Sequence, residues 1–293
     1  MDLATVNSMP DDHLPVRDAL STDAVIRLAR ERWRALGEVN ALFTRPWIGL
    51  DTEGARDRID RDGLLAKFAG PDLEGRRVLV IGGGGGQQSL AFGLLGASVT
   101  VVDFDEGQLE RDRRTWSARL LPPDRLRTLQ LDMRELASCD LEPGSFDIVW
   151  HPYSINFVPD CHSVIVASGR LLTRGGIYRL QAANPFVLGM HMSDQNGDGY
   201  VRRGVYRDGE AVQSPDPGWV YDRSAASQSV PEPIEFRHTL ATVVNSCIGA
   251  GMGIIHLEDA IDVPRDEDAE PGTWDHFCSV NPPWFAVWAR RQD

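Results

Sequence analysis

RRVLVIGGGGGQQSLAFGLLGASVTVVDFD, residues 76–105, sets two short apolar runs on either side of five consecutive glycines. Val78–Ile81 is too short for a helix and ends at a turn signal, so it reads as a buried strand. A helical stretch follows the glycines, and Val99–Val102 is a second strand ending on Asp103. Outward from there the alternation continues. GQLERDRRTWSARL (107–120) has an amphipathic helical pattern, LRTLQLD (126–132) is a third run and FDIVWHP (146–152) a fourth. HSVIVASGRLLTRGG (162–176) is helical and IYRLQAAN (177–184) a fifth run. Strands alternating with helices at this spacing predict an α/β fold with a doubly wound, mostly parallel sheet. Ligands in such sheets sit at the carboxyl ends of the strands, near the switch in strand order.

Glycines between a buried strand and a helix let backbone N–H groups and the helix start approach a ligand closely. Their spacing discriminates between ligands. The dinucleotide turn G-x-G-x-x-G/A fails, because its last place is Gln87 counted from Gly82 and Gln88 counted from Gly83. A phosphate-cradling loop ending in G-K-[ST] fails as well, because this run ends in Gly-Gln-Gln. The spacing that fits is G-x-G-x-G (Gly82, Gly84, Gly86), with Asp103 as the acid that ends the next strand.

On these residues the chain resembles the class I S-adenosylmethionine-dependent methyltransferases, well over about residues 75–185 and more loosely toward the end. FDIVWHPYSINFVPD (146–160) is similar to the family's fourth-strand segment, and LLTRGGIYRL (171–180) to its turn into the fifth strand. The resemblance implies a seven-stranded Rossmann-like sheet and S-adenosyl-L-methionine as cofactor, with S-adenosyl-L-homocysteine as product. It places the cofactor on Gly82, Gly83, Gly84, Gly86 and Gln87, with Asp103 on the ribose, Phe104 beside the adenine, Asp132 and Met133 at the adenine edge, and His151 at the fourth-strand end. The TRPW (44–47) and GGGQQ (84–88) segments look like one branch of the family. The family's usual acid two residues before the first glycine is Val80 here, so Gln87, Gln88 or Arg45 would contact the methionine end.

Methyl transfer needs a nucleophile held in line with the methyl, a dry site and sometimes a base. His151 is the catalytic candidate, since imidazole titrates near working pH; bonding to backbone at the strand end is an equal reading. Trp47, Tyr153, Asn156, His191 and His238 are candidates for the acceptor pocket, and packing or capping roles compete for each. Residues 1–70 form an N-terminal helical lid segment, with TDAVIRLARERWRALGEVN (22–40) its amphipathic helix, and 71–293 the cofactor-binding domain. Residues 185–236, rich in Gly, Pro, Asp and Ser, read as a loop and hairpin cap whose Phe186, Met190, Met192, Trp219, Tyr221 and Phe236 roof a pocket. Asp194-x-Asn196-x-Asp198-Gly199 imitates a calcium loop, but Val205 stands where the bidentate Glu belongs, so a plain turn and no metal are expected.

Composition narrows the partners. With 43 Asp+Glu against 30 Lys+Arg the net charge is −13, which opposes phosphate binding and disfavours nucleic acid. The four cysteines, Cys139, Cys161, Cys247 and Cys278, form no C-x-x-C pair and read as thiols of a reducing compartment. No run reaches the ~18 apolar residues of a membrane helix, and MDLATVNSMPDDHLP (1–15) lacks the basic and apolar parts of a signal peptide. The expectation is a cytoplasmic monomer or homodimer that methylates a small-molecule acceptor. Two alternatives share the fold: a non-methylating cyclase or isomerase that uses the same cofactor, and a binding-only regulatory subunit.

Overall fold

A computed structural model of the chain describes residues 21–213, 230–231, 233–260, 265–266 and 268–292. The chain begins with α1 (Thr22–Glu38), whose N-cap Ser21 accepts from the Ala24 amide, then α2 (Thr52–Asp60) and α3 (Leu64–Ala69). Next come β1 (Arg77–Ile81), α4 (Gln88–Leu94), β2 (Ser98–Asp103), α5 (Glu106–Ala118), β3 (Leu126–Gln130) and β4 (Phe146–His151). These are followed by α6 (Cys161–Leu171), β5 (Leu172–Ala183), the short strands β6 (Gln195–Asn196) and β7 (Gly199–Tyr200), and β8 (Glu210–Gln213). The last elements are β9 (Ile234–Arg237), α7 (Leu240–Gly249), β10 (Met252–Ala260), α8 (Trp274–Val280) and β11 (Trp284–Arg291).

Seven strands form one sheet in the order β10-β11-β5-β4-β1-β2-β3. Strands β1 to β5 pair parallel, and β11 runs antiparallel between β5 and β10. The chain therefore reverses its direction of travel across the sheet between β1 and β4, which opens a crevice at their carboxyl ends. The continuous apolar run of β1 has a direct physical cause. Leu79 and Ile81 belong to the core under α6 and α7, whereas Val78 and Val80 belong to the opposite core with Phe92 of α4 and Trp116 of α5. A strand covered on both faces cannot alternate apolar with polar residues.

The structure alters the expected boundaries in two places. The helix was expected to run to residue 176 and turn there into the fifth strand, but α6 ends at Leu171 and passes straight into β5: Leu172 pairs with Phe146, the register shifts, and pairing resumes at Ile177–Ile148. The left-handed Gly175 (φ +73°) lies inside that irregular stretch. Helix α8 carries no strong apolar period and was not foreseen. Within 185–236 the described residues form two small hairpins, β6–β7 and β8–β9, as anticipated in kind. The calcium-loop imitation is the β6–β7 turn, with Asp194 paired to Arg203. Among the described residues, no helix is long and apolar enough to cross a membrane.

Candidate functional site

The glycine run leaves β1 as a tight backbone turn. Gly82, Gly84, Gly85 and Gly86 all have positive φ (+66°, +70°, +77° and +83°), a region that costs other residues steric strain. Space adds a second requirement at Gly82, where a Cβ would lie 2.6 Å from Ser154 Oγ. That hydroxyl in turn donates to the Ile81 carbonyl (3.1 Å), tying the β4 exit to the turn. A carboxylate also supports the turn from below: Asp112 of α5 accepts from the Gly86 amide (2.8 Å) and from Ser89 Oγ. Val80, standing where the family's acid was expected, is fully buried in the core, so the acid near this turn comes from α5 instead. Burial, partly offset by those two hydrogen bonds, raises the Asp112 carboxyl to about 7.

Above the turn lies a cavity of about 330 Å³. Gly82, Gly83, Gly84, Gln87 and Gln88 form its floor, and Asp103, Phe104, Gln108 and Met133 one end. The other end is aromatic, with Tyr153, Phe157 and Trp284 in edge-to-face contact (Tyr153–Phe157 6.2 Å, Tyr153–Trp284 6.5 Å). Trp33 of α1, Phe43 and Trp47 cover it. Asp103 ends β2 nearly buried; its Oδ1 accepts the Asp105 amide (2.9 Å), and desolvation raises the carboxyl to about 7. The side-chain oxygens of Gln88 and Gln108 are buried without a protein partner among the described residues. Such acceptors call for a donor from a ligand, and a nucleoside with an ammonium group carries several.

The segment that joins α1 to α2 is held to the glycine turn and α5 through its backbone. Gln87 Nε2 donates to the Arg45 carbonyl (2.9 Å) and the Leu42 carbonyl (3.3 Å). Arg111 donates to the Thr44 carbonyl (2.7 Å) and to the Gly37 carbonyl. The Trp47 amide donates to the Gly86 carbonyl (3.1 Å).

Of the expected site residues, Gly82, Gly83, Gly84, Gln87, Asp103, Phe104, Met133, Trp47 and Tyr153 line this cavity. Six do not, each for a visible reason. Gly86 lies beneath the turn with its amide on Asp112. Asp132 is held by Arg134 through two side-chain bonds (3.1 and 2.8 Å) and by Arg30 (2.9 Å), which keep its carboxyl low despite burial. His151, expected as the base, is fully buried with Nδ1 against Tyr178 Oη (3.2 Å); burial, then the nearby Arg179 and His238, push it down to about 3. It is a neutral core residue. Asn156 is also fully buried, bridging the Phe236 carbonyl and the Ala183 amide (2.9 Å each). His191 caps the short helical turn Met192–Asp194, and His238 is buried against the Ile155 carbonyl (3.1 Å).

Of the side chains expected to roof the cavity, the described ones, Phe186, Met190, Met192 and Phe236, do not line it. Met190 and Met192 pack around Val187, Phe277 and Cys278 in a small separate core, and Phe186 is exposed and stacked on Tyr206 (4.7 Å). Trp219 and Tyr221 lie outside the described residues. Arg45, a minority candidate, turns its Nε to the Asn40 carbonyl (2.6 Å). Sequence reading missed Trp33, Phe43, Phe157, Gln108 and Trp284. Trp33 was visible only as part of the apolar stripe of α1, and Trp284 only within the terminal aromatic run. It also missed Glu235, buried on β9, which accepts a hydrogen bond from the Tyr153 hydroxyl.

Comparison with known proteins agrees with this architecture. The family model described as "Methyltransferase domain" matches residues 79–180. The uncharacterized methyltransferase YbaJ of Bacillus subtilis (strain 168) is 30% identical over 183 residues, which cover 62% of this chain and 67% of that protein. A ubiquinone biosynthesis O-methyltransferase of Xanthomonas campestris pv. campestris (strain B100) is 33% identical over 162 residues, 51% of this chain; the match spans only 60% of that relative. Among solved structures, an S-adenosylmethionine-dependent methyltransferase from Mesorhizobium loti superposes with a TM-score of 0.58 at 19% identity, covering 83% of this chain and all of that one (100%).

Proposed function

Because this chain belongs to the class I S-adenosylmethionine-dependent methyltransferases, we propose that the continuous cavity above the glycine turn seats both the cofactor and a small, largely apolar acceptor. The observation that carries this reading is that continuity. Asp103 and the glycine turn line one end, and Tyr153, Phe157 and Trp284 the other, with no wall between them. Asp103 would accept from the ribose hydroxyls, Phe104 would flank the adenine, and the Gln88 and Gln108 oxygens would take donors from the methionyl or ribose groups. Bound there, S-adenosylmethionine supplies a methyl group on a positively charged sulfur that is already electrophilic. The protein's remaining work is to orient the acceptor, exclude water and handle a proton.

The lid suits the second of those tasks. Trp33, Phe43 and Trp47 bring three aromatic rings from the N-terminal segment to the cavity wall, and the aromatic walls favour a flat apolar acceptor. A cavity of about 330 Å³ with no lysine or arginine among the described residues of its wall supports a small molecule over a nucleic acid. The four cysteines are free thiols, three of them buried, which supports a reducing, cytoplasmic setting.

Calorimetric titration with S-adenosylhomocysteine tests the cofactor end. We expect micromolar binding by the wild type and its loss in Asp103→Ala, followed by acceptor-dependent appearance of S-adenosylhomocysteine from S-adenosylmethionine. No binding by the folded wild type would sink the reading. Binding without transfer to any acceptor would favour the non-methylating alternative.

A further inference from the structure

Among the described residues in the cavity wall, only Asp103 and Tyr153 can titrate. Asp103 lies at the end assigned above to the ribose, so any proton handling at the acceptor end falls to Tyr153. An isolated phenol, with a pKa of about 10, is a poor base near neutrality. This one is not isolated. Its hydroxyl donates to Glu235 Oε1, and Glu235 is 2% exposed, outside the cavity and behind the ring. The β8–β9 hairpin carries Glu235 there, with Val212 opposite it in the ladder. From α1, Arg32 is the charged group whose field reaches it; Arg32 donates to the Pro231 carbonyl. The remaining charges of the hairpin are engaged elsewhere: Arg237 donates to the Pro185 and Leu188 carbonyls, and Glu210 pairs with Arg207.

The geometry points to Tyr153 and Glu235 as a two-residue proton relay that serves a hydroxyl acceptor, with Tyr153 the catalytic residue and Glu235 the positioning residue behind it. This inference rests on the methyltransferase reading above. A phenol that donates its only proton can still accept on its oxygen. As the acceptor oxygen forms its bond to the methyl carbon, the carbon–sulfur bond breaks and its electron pair stays on sulfur. The acceptor's proton passes to the Tyr153 oxygen while the Tyr153 proton passes to the Glu235 carboxylate, which ends as a neutral acid. The sulfonium charge and the carboxylate charge disappear together, and no further reactant is needed.

Burial supports the direction of transfer. Desolvation raises the Glu235 carboxyl to about 7, against the hydrogen bond from Tyr153 and the field of Arg32, so a buried Glu235 gains by receiving a proton. The same pair argues against an amine acceptor. A nearby carboxylate favours an ammonium, whose lone pair is blocked, whereas a phenol or enol hydroxyl keeps a lone pair for attack. The aromatic walls fit the flat shape of such hydroxyls.

The test uses the full chain with S-adenosylmethionine, catechol and 4-methoxyphenol as hydroxyl probes, which stay protonated near neutrality, and benzylamine, a basic amine, as the amine probe. We expect the hydroxyl probes to be methylated in preference to benzylamine, with the acceptor's kcat/KM, read at saturating S-adenosylmethionine so that titration of Asp103 does not enter, falling on the acid side with a midpoint near pH 7. Glu235→Gln and Tyr153→Phe should each lower kcat/KM about 100-fold and remove that acid limb, and the double variant should be no worse than either single one. Infrared titration supplies a readout apart from turnover. Asp103 and Asp112 titrate in the same range, so the wild-type minus Glu235→Gln difference isolates one carboxylic-acid band near pH 7. Three results would each overturn the relay: an acid limb at saturating S-adenosylmethionine that survives in Glu235→Gln, no such difference band, or benzylamine methylated as readily as the hydroxyls. No transfer to either hydroxyl probe by a protein that binds S-adenosylhomocysteine would overturn it too. Failure of wild-type S-adenosylhomocysteine binding would instead count against the cofactor reading.

Discussion

Replacing His151 with Asn separates two roles that its place at the end of β4 confounds. The imidazole is completely buried, and burial, Arg179 and His238 together lower it from 6.5 to about 3. In the unfolded chain it titrates near 6.5, so between those values the unfolded state binds a proton that the folded state refuses. This contribution to stability is complete above pH 6.5 and is lost as pH falls toward 3. Each pH unit in that window corresponds to about 1.4 kcal/mol, so acidification from pH 7 to 4 removes about 3 kcal/mol through this side chain. Asn cannot take up that proton and can still reach the Tyr178 hydroxyl. Urea unfolding of both proteins across that range therefore gives a variant that is less stable at pH 7, with a deficit shrinking by about 3 kcal/mol at pH 4. Contributions from Asp103, Asp112 and Glu235, which are present in both proteins, cancel in the comparison. Methyl transfer should change by no more than a few-fold. Parallel stability curves would refute the argument about the buried charge. A folded variant that lost transfer by two orders of magnitude would show that the imidazole reaches the reacting groups.

Other outcomes follow from the same geometry. Asp103→Asn should weaken S-adenosylhomocysteine binding by about 10- to 100-fold in calorimetry, the range set by hydrogen bonds to a charged acceptor. Ribose hydroxyls favour the ionised carboxylate, so wild-type affinity should be full above pH 7 and fall about tenfold per unit below it. Gly82→Ala should lower stability by about 1–3 kcal/mol, because the new Cβ meets Ser154 at a positive φ, and should abolish ligand binding. Arg111→Ala removes two anchors of the lid, so hydrogen exchange should accelerate over residues 37–47 and leave β1 and β4 unchanged.

The fold was legible because its central strands are apolar on both faces and separated by helices of ordinary length. Val78–Ile81 and Val99–Val102 carry that information locally. The site was legible only where function is written in backbone freedom or at a strand end, as at Gly82 and Asp103. His151 shows the limit. Lying at the carboxyl end of β4 puts it near the crevice, but alternation places it on the same face as Val149, in the core under α6. Glu235 was beyond reach for another reason, since its partner Tyr153 is 82 residues away and nothing in PIEFRH announces a buried carboxylate. Asp112 under the glycine turn was hidden in the same way, 26 residues from the amide it holds.

The latch of the lid has an evolutionary consequence. Gln87 and Arg111 grip carbonyl oxygens of Gly37, Leu42, Thr44 and Arg45, which every amino acid possesses. The clasp therefore does not depend on the side chains of the segment it holds, and substitutions there leave it intact. Phe43 and Trp47 line the cavity from that segment and its continuation, so exchanging them would reshape the cavity without removing a hydrogen bond of the clasp, although Trp47 also packs against the core and under Arg58. Acceptor preference can thus drift in this enzyme, or be redesigned, along a strip of chain whose attachment is blind to sequence.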